Sequence, residues 1–196
     1  MNIVVAACKN RGIGFKNKLP WNINKEMKYF KELTIGEKNN AVIMGGNTWR
    51  SIPIKNRPLS KRENIVLSRK VDNTLSKNKM NGYHFLPSLD SIYYTFSPYQ
   101  FDNIWIIGGS QIYEEALKSN SVDSIFYTEI QENYKCDTFF PEIPDNFSNI
   151  YESKTIYDCN NKLKFKVYKH DESNISSSKL KSICVRAEKK ALNYKS

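Results

Sequence analysis

Two short segments of this 196-residue chain share a design suited to phosphate chemistry. Val42-Ile43-Met44-Gly45-Gly46-Asn47-Thr48 and Trp105-Ile106-Ile107-Gly108-Gly109-Ser110-Gln111 each run from apolar residues through a Gly-Gly pair into a polar residue that opens a helix. Glycine lets backbone approach a ligand closely, and the helix that follows offers unpaired N–H groups and the positive end of its dipole. Phosphates bind at such ends. One turn of this kind is commonly structural; two in a small domain suggest a ligand with two linked phosphates, and a dinucleotide fits. A third feature supplies a proton. In the stretch Ile23–Thr34 the apolar stripe Ile23, Met27, Phe30, Leu33 shares its face with Glu26. Desolvation raises the pKa of a buried carboxyl, which then holds a proton near neutral pH and can deliver it. The plainer alternative is a Glu26 at the edge of the helix, paired in water with Lys28 or Lys31.

The elements that must position these groups alternate. Ile3–Cys8, Ala41–Met44, Ile65–Leu67 and Ile104–Ile107 are continuous apolar runs, the pattern of strands buried on both faces. Helical stretches lie between them at Ile23–Thr34, Asn47–Ile52 and Ser110–Lys118. Strand–helix alternation predicts an α/β fold with a mostly parallel sheet. Ser124–Ile130 and Lys162–Tyr168 read as longer strands. In the second, Leu163, Phe165 and Val167 alternate with lysines, which predicts one wet face and an antiparallel C-terminal edge.

Composition removes other classes. Hydrophobic residues at 40% and aromatics at 13% are enough for a core, so wholesale disorder is excluded. No apolar run approaches a membrane span, and the N-terminal run is too short for a signal peptide. A soluble, cytoplasmic protein is expected. Two histidines, His84 and His170, and four dispersed cysteines, Cys8, Cys136, Cys159 and Cys184, leave no metal site or His-based mechanism in view; Cys8 reads as a buried apolar filler. The net charge of +10 lacks the clustering and motifs of nucleic-acid binding and suits small anionic ligands. Gly12-Ile13-Gly14-Phe15-Lys16-Asn17 lacks the third glycine of a dinucleotide fingerprint, and no P-loop occurs. After residue 171 a polar, Ser-rich linker leads into a basic amphipathic helix carrying Leu180, Ile183, Cys184, Ala187 and Ala191. Loose docking on the domain, or the start of a connection, is the expectation for it. Residues 1–171 and 172–196 thus read as a domain and an extension.

Over residues 1–171 the chain resembles dihydrofolate reductase. Gly12-Ile13-Gly14 followed by Leu19-Pro20-Trp21 is similar to the family's mobile loop, and Glu26-Met27-Lys28-Tyr29-Phe30 to its catalytic helix. Thr48-Trp49, Ser51-Ile52-Pro53, Asn56-Arg57-Pro58-Leu59, Val66-Leu67-Ser68-Arg69, Ile107-Gly108-Gly109 and Asp137-Thr138-Phe139-Phe140-Pro141 follow in family order. The resemblance implies a doubly wound, mostly parallel mixed sheet with helices on both faces. It implies hydride transfer from NADPH to C6 of dihydrofolate, with N5 protonation promoted by Glu26.

The same resemblance assigns residues. Trp21 and Leu19 would flank Glu26, Trp21 holding an ordered water, and Thr128 would hydrogen-bond Glu26. Val4, Val5, Ile107 and Tyr113 would border the pterin and nicotinamide. Met27, Phe30, Ile52, Asn56 and Leu59 would line the pterin and aminobenzoyl groove. Arg62, rather than Arg57, would pair with the substrate's glutamate carboxylate. Ala6, Ile13, Gly14 and Lys18 would meet the nicotinamide and its ribose. Gly45, Gly46, Asn47 and Thr48, with Gly108, Gly109, Ser110, Gln111 and Ile112, would cradle the pyrophosphate, with a cis peptide at Gly108–Gly109. Leu67, Ser68, Arg69 and Lys70 would meet the adenosine 2′-phosphate. Gly46 departs from the basic residue usual there, which predicts a narrower margin of NADPH over NADH. The resemblance also implies antifolate inhibitors as ligands; a monomer is expected, and some relatives continue into a thymidylate synthase. A pterin reductase of similar fold is disfavoured because Arg62 would lack its carboxylate; a non-catalytic binder using the basic tail is the remaining alternative.

Overall fold

Val4, Val42, Met44, Val66 and Trp105 bury themselves on one side of a central sheet, and Ile3, Val5, Ile43, Ile65 and Ile106 on the other. Successive side chains on a strand point to opposite faces, so runs apolar at every position have no wet side. This computed structural model describes residues 1–69, 82–97 and 99–193. The strands are β1 (Asn2–Cys8), β2 (Gly12–Gly14), β3 (Asn40–Gly45), β4 (Glu63–Leu67), β5 (Tyr83–Leu86), β6 (Asn103–Ile106), β7 (Ser124–Ile130), β8 (Thr138–Phe139), β9 (Phe147–Glu152), β10 (Ile156–Asp158) and β11 (Asn161–His170). The helices are α1 (Asn24–Ile35), α2 (Gly46–Ser51), α3 (Ser91–Thr95), α4 (Ser110–Lys118) and α5 (Ser177–Leu192).

The main sheet runs β10-β11-β7-β1-β6-β3-β4-β5, with β9 also paired to β11. From β7 to β5 every pairing is parallel. β11 is antiparallel to β7, as the alternating pattern predicts, and β9 and β10 extend the sheet beyond it. β2 and β8 form a separate two-stranded ladder. The parallel strands end on one edge, where β3 and β6 deliver Gly45 and Gly108, and ligand sites of open α/β sheets lie outside that carboxyl edge.

Helices cover both faces. α4 buries Tyr113 and Ala116 on the face of Ile3 and Ile43, while α1 and α5 lie on the face of Val4 and Trp105. Two expectations change here. The buried face of α1 is Glu26, Tyr29, Leu33 and Thr34, whereas Met27 is 46% exposed and Phe30 half-buried. The cause is α5. It is not loosely docked: Leu180, Cys184, Ala187 and Ala191 are 2% exposed or less, in the same core as the sheet. Tyr29 stacks on Phe165 with ring centroids 3.7 Å apart, and its hydroxyl lies 3.1 Å from the Cys184 Sγ. Arg186 pairs with Glu37, and Tyr151 donates to Glu188, which fastens α5 to the chain on either side. No helix among the described residues is long and apolar enough to cross a membrane.

Candidate active site

The two glycine turns meet. Adjacent parallel strands β3 and β6 end side by side, and the Gly45 N–H donates to the Gly108 carbonyl at 2.7 Å. A Cβ on Gly45 would lie 3.2 Å from Ile112 Cγ1, and one on Gly109 would lie 3.4 Å from Thr48 Oγ1, so larger residues would crowd the junction. The Gly108–Gly109 peptide is cis. Gly109 caps α4 with no side-chain hydrogen bond, which leaves first-turn N–H groups of Ser110 and Gln111 to a ligand. These features fit a pyrophosphate: a glycine-lined backbone surface with helix amides facing it.

Glu26 occupies the first turn of α1 and is 6% exposed. Burial pushes its carboxyl up to about 7. Among the described residues it has no ion pair and accepts no hydrogen bond, so pairing with Lys31 is not what the fold adopts. Tyr113 lies close enough for the Glu26 charge to raise its phenol further, after burial, and its hydroxyl donates to the Val4 carbonyl at 2.9 Å. The Trp21 indole is buried against the same core as Val4, and its Nε1–H has no partner among the described residues. A buried donor without a partner and a buried carboxyl without an ion pair both suit a polar guest. Thr128 is buried on β7, opposite Ala6 of β1, and makes no hydrogen bond to Glu26. Val5 faces the other side of the sheet from Val4, in the core with Tyr113, and Leu19 is 51% exposed.

Further apolar side chains join this core. Phe30, Ile52, Leu59 and Ile107 are half-buried against the core that holds Val4 and Trp21; Met27 and Asn56 are exposed. Arg62 donates to the Thr34 hydroxyl at 2.7 Å and to the Ser60 carbonyl at 3.0 Å, and among the described residues no carboxylate pairs with it. Desolvation lowers its pKa to about 10. A partly desolvated guanidinium with only neutral partners favours an anionic guest. Arg57 is spent elsewhere: it donates to the Trp49 carbonyl and lies over that indole ring.

The loop through Gly12 to Lys18 is tied down by residues far along the chain. The Asp137 N–H donates to the Gly14 carbonyl, and the Asp137 carboxylate accepts from the Lys16 N–H at 2.8 Å. Ile13 packs on the core, Gly14 and Ala6 are half-buried, and Lys18 is exposed. Leu67 is buried at the end of β4, the Ser68 N–H donates to Leu86, and Arg69 is exposed; Lys70 lies outside the described residues. Gly46 opens α2 beside Asn47, and the Arg50 guanidinium fills its vacancy, 3.3 Å from where a Cβ would stand. Sequence reasoning missed Arg50, although its place one helical turn after Gly46 was the available signal.

A family model described as "Dihydrofolate reductase" matches residues 1–172. The chain is 42% identical over 161 residues to the dihydrofolate reductase of Heliothis virescens, covering 80% of this chain and 86% of that one. It is 40% identical over 189 residues to that of Mus musculus, covering 86% and 96%. A bifunctional dihydrofolate reductase-thymidylate synthase of Daucus carota is 41% identical over 152 residues, covering 74% of this chain and 28% of that protein. The chain belongs to the dihydrofolate reductase family. Membership makes it an oxidoreductase that reduces dihydrofolate with a nicotinamide cofactor. Within this dihydrofolate reductase fold, α5 lies beyond the part that the family model matches.

Proposed function

We propose that the chain reduces 7,8-dihydrofolate to tetrahydrofolate with NADPH, and that Glu26 promotes protonation of N5. The observation that carries this reading is the buried, unpartnered Glu26 carboxyl, held near pKa 7 by desolvation on the edge where both glycine turns end. A carboxyl that gains and loses a proton near neutral pH is matched to acid catalysis. It grips the pterin N3 and 2-amino group, and through that contact favours the protonated N5. Trp21 Nε1–H orients the water next to it. The Val4 carbonyl, held by Tyr113, and the Ile107 carbonyl border the ring.

Gly45–Thr48 and Gly109–Ile112 would hold the pyrophosphate, Ala6, Ile13, Gly14 and Lys18 the nicotinamide ribose, and Ser68, Arg69 and Lys70 the 2′-phosphate. The chemistry NADPH supplies there is a hydride to C6, so that one hydride and one proton reduce the N5=C6 bond. Met27, Phe30, Ile52, Asn56 and Leu59 exclude water along the aminobenzoyl groove, and Arg62 takes the terminal carboxylate in its fork. Folate-like inhibitors that keep the 2-amino group and a basic ring nitrogen would compete at Glu26.

Loss of NADPH absorbance that requires added dihydrofolate is the expected result with purified chain. Glu26→Gln keeps NADPH binding and loses about a hundredfold or more of turnover at neutral pH, with partial recovery in acid as substrate arrives protonated. Equal turnover by the variant at neutral pH removes Glu26 from the reaction.

A further inference from the structure

We propose that Cys8 and Cys136 form a covalent modification site, a dithiol that a low-molecular-weight disulfide converts into an intramolecular Cys8–Cys136 bond. The sulfurs lie 3.8 Å apart although 128 positions separate the residues. Cys8 ends β1, and Cys136 immediately precedes Asp137 and β8. Nothing stands between them, because Gly12 makes the room. A Cβ there would lie 2.4 Å from the Cys136 sulfur and 3.0 Å from the Cys8 sulfur. The Cys8 S–H donates to the Asn10 Oδ1 at 3.0 Å, which turns its hydrogen away from Cys136. Closing to the roughly 2.05 Å of a disulfide needs a shift that the irregular segment ahead of β8 can make more easily than β1.

Access orders the chemistry. Cys136 is half-buried and Cys8 is 1% exposed, so the reagent meets Cys136 first. The Cys136 thiolate attacks one sulfur of the reagent, its S–S bond breaks, and one thiol leaves. Cys8 then gives up its proton, attacks the Cys136 sulfur of the mixed disulfide and expels the second thiol. Two protein thiols are oxidised, one reagent disulfide is reduced, and the two protons finish on the released thiols. Burial and the neighbouring Cys8 push the Cys136 thiol up to about 11, which makes the first step slow at neutral pH and faster in alkali. The other cysteines lack this option: Cys159 is exposed, and Cys184 is buried against the Tyr29 hydroxyl. Because Asp137 holds Gly14 and Lys16, the new bond would staple the anchor of the Gly12–Lys18 loop to β1.

The test reads mass rather than turnover, so its outcome is separate from that of the proposed reaction. A Cys159→Ser chain is incubated with glutathione disulfide at about pH 8.5 and mapped by mass spectrometry. The expected product has lost two hydrogens, yields one cross-linked peptide pair containing Cys8 and Cys136, and reverts with dithiothreitol. Adding Cys136→Ser abolishes the reaction, and adding Cys8→Ser leaves a stable glutathione adduct on Cys136. A persistent adduct on Cys136 with Cys8 intact, or three free thiols (Cys8, Cys136 and Cys184) after denaturation in place of one, overturns the proposal.

Discussion

Arg62 donates from Nη1 to the Thr34 hydroxyl, 2.7 Å away, and so joins the start of β4 to the end of α1 with no acid paired to it among the described residues. The neutral contact fixes the guanidinium without neutralising it. Arg62→Leu is expected to raise KM for dihydrofolate about ten- to a hundredfold, while NADPH affinity stays unchanged. Arg57→Leu, which loses a ring contact and one bond to Trp49, should change KM far less. Steady-state kinetics on both variants check this, and equal effects would remove the carboxylate assignment from Arg62.

Glu26 makes stability depend on pH in an unusual direction. Its pKa rises from 4.5 to about 7 on folding, so across that window the unfolded chain ionises while the folded one keeps its proton. Stability therefore falls between those values and is unaffected by this group outside them. At about 1.4 kcal/mol for each pKa step the loss totals roughly 3 kcal/mol. Glu26→Gln removes the titration and should gain about that much on the native chain between pH 4.5 and pH 8. Urea unfolding of both proteins at the two pH values gives the difference; an unchanged gap would mean that folding leaves the Glu26 pKa at its unfolded value.

Gly46 and Arg50 bear on the choice between NADPH and NADH. The guanidinium of Arg50 lies over Gly46, 3.3 Å from where a Cβ would stand, and so brings a positive charge to that turn. Arg50→Ala is expected to narrow the preference for NADPH by about threefold to tenfold, and Gly46→Arg to widen it by a similar factor. Ratios of kcat/KM for the two cofactors, supported by binding titrations, decide it. No change in either variant would leave discrimination to Arg69 and its neighbours.

Leu180 tests whether α5 belongs to the core. Leu180 is 1% exposed in the cluster that holds Trp105 and Phe165. Leu180→Ala should cost about 2–5 kcal/mol of unfolding free energy, whereas Lys181→Ala on the exposed face should stay within about 0.5 kcal/mol. Chemical denaturation measures both, and a small effect at Leu180 would restore the loosely docked helix.

What could be read along the chain was whatever a local pattern reports. Continuous apolar runs marked β1, β3, β4 and β6 because a strand covered on both faces is apolar at nearly every position. The ends of β7 and α4, Ser124–Ile130 and Ser110–Lys118, agree to the residue. The paired glycines announced the two turns. β5, β9 and β10 were not seen, since these short, half-polar segments take their ladders from neighbours rather than from their own periodicity. Thr34 and Tyr29 appeared on no apolar stripe because α5, about 150 positions away, is what covers Tyr29. The same holds at the site. The sequence contained the acid, the arginine and the cysteines, but only folding decided that Glu26 lies dry and unpaired, that Arg62 faces a hydroxyl, and that Cys8 touches Cys136. Charge and reactivity depend on what long-range packing places within a few ångströms, and no local repeat encodes that.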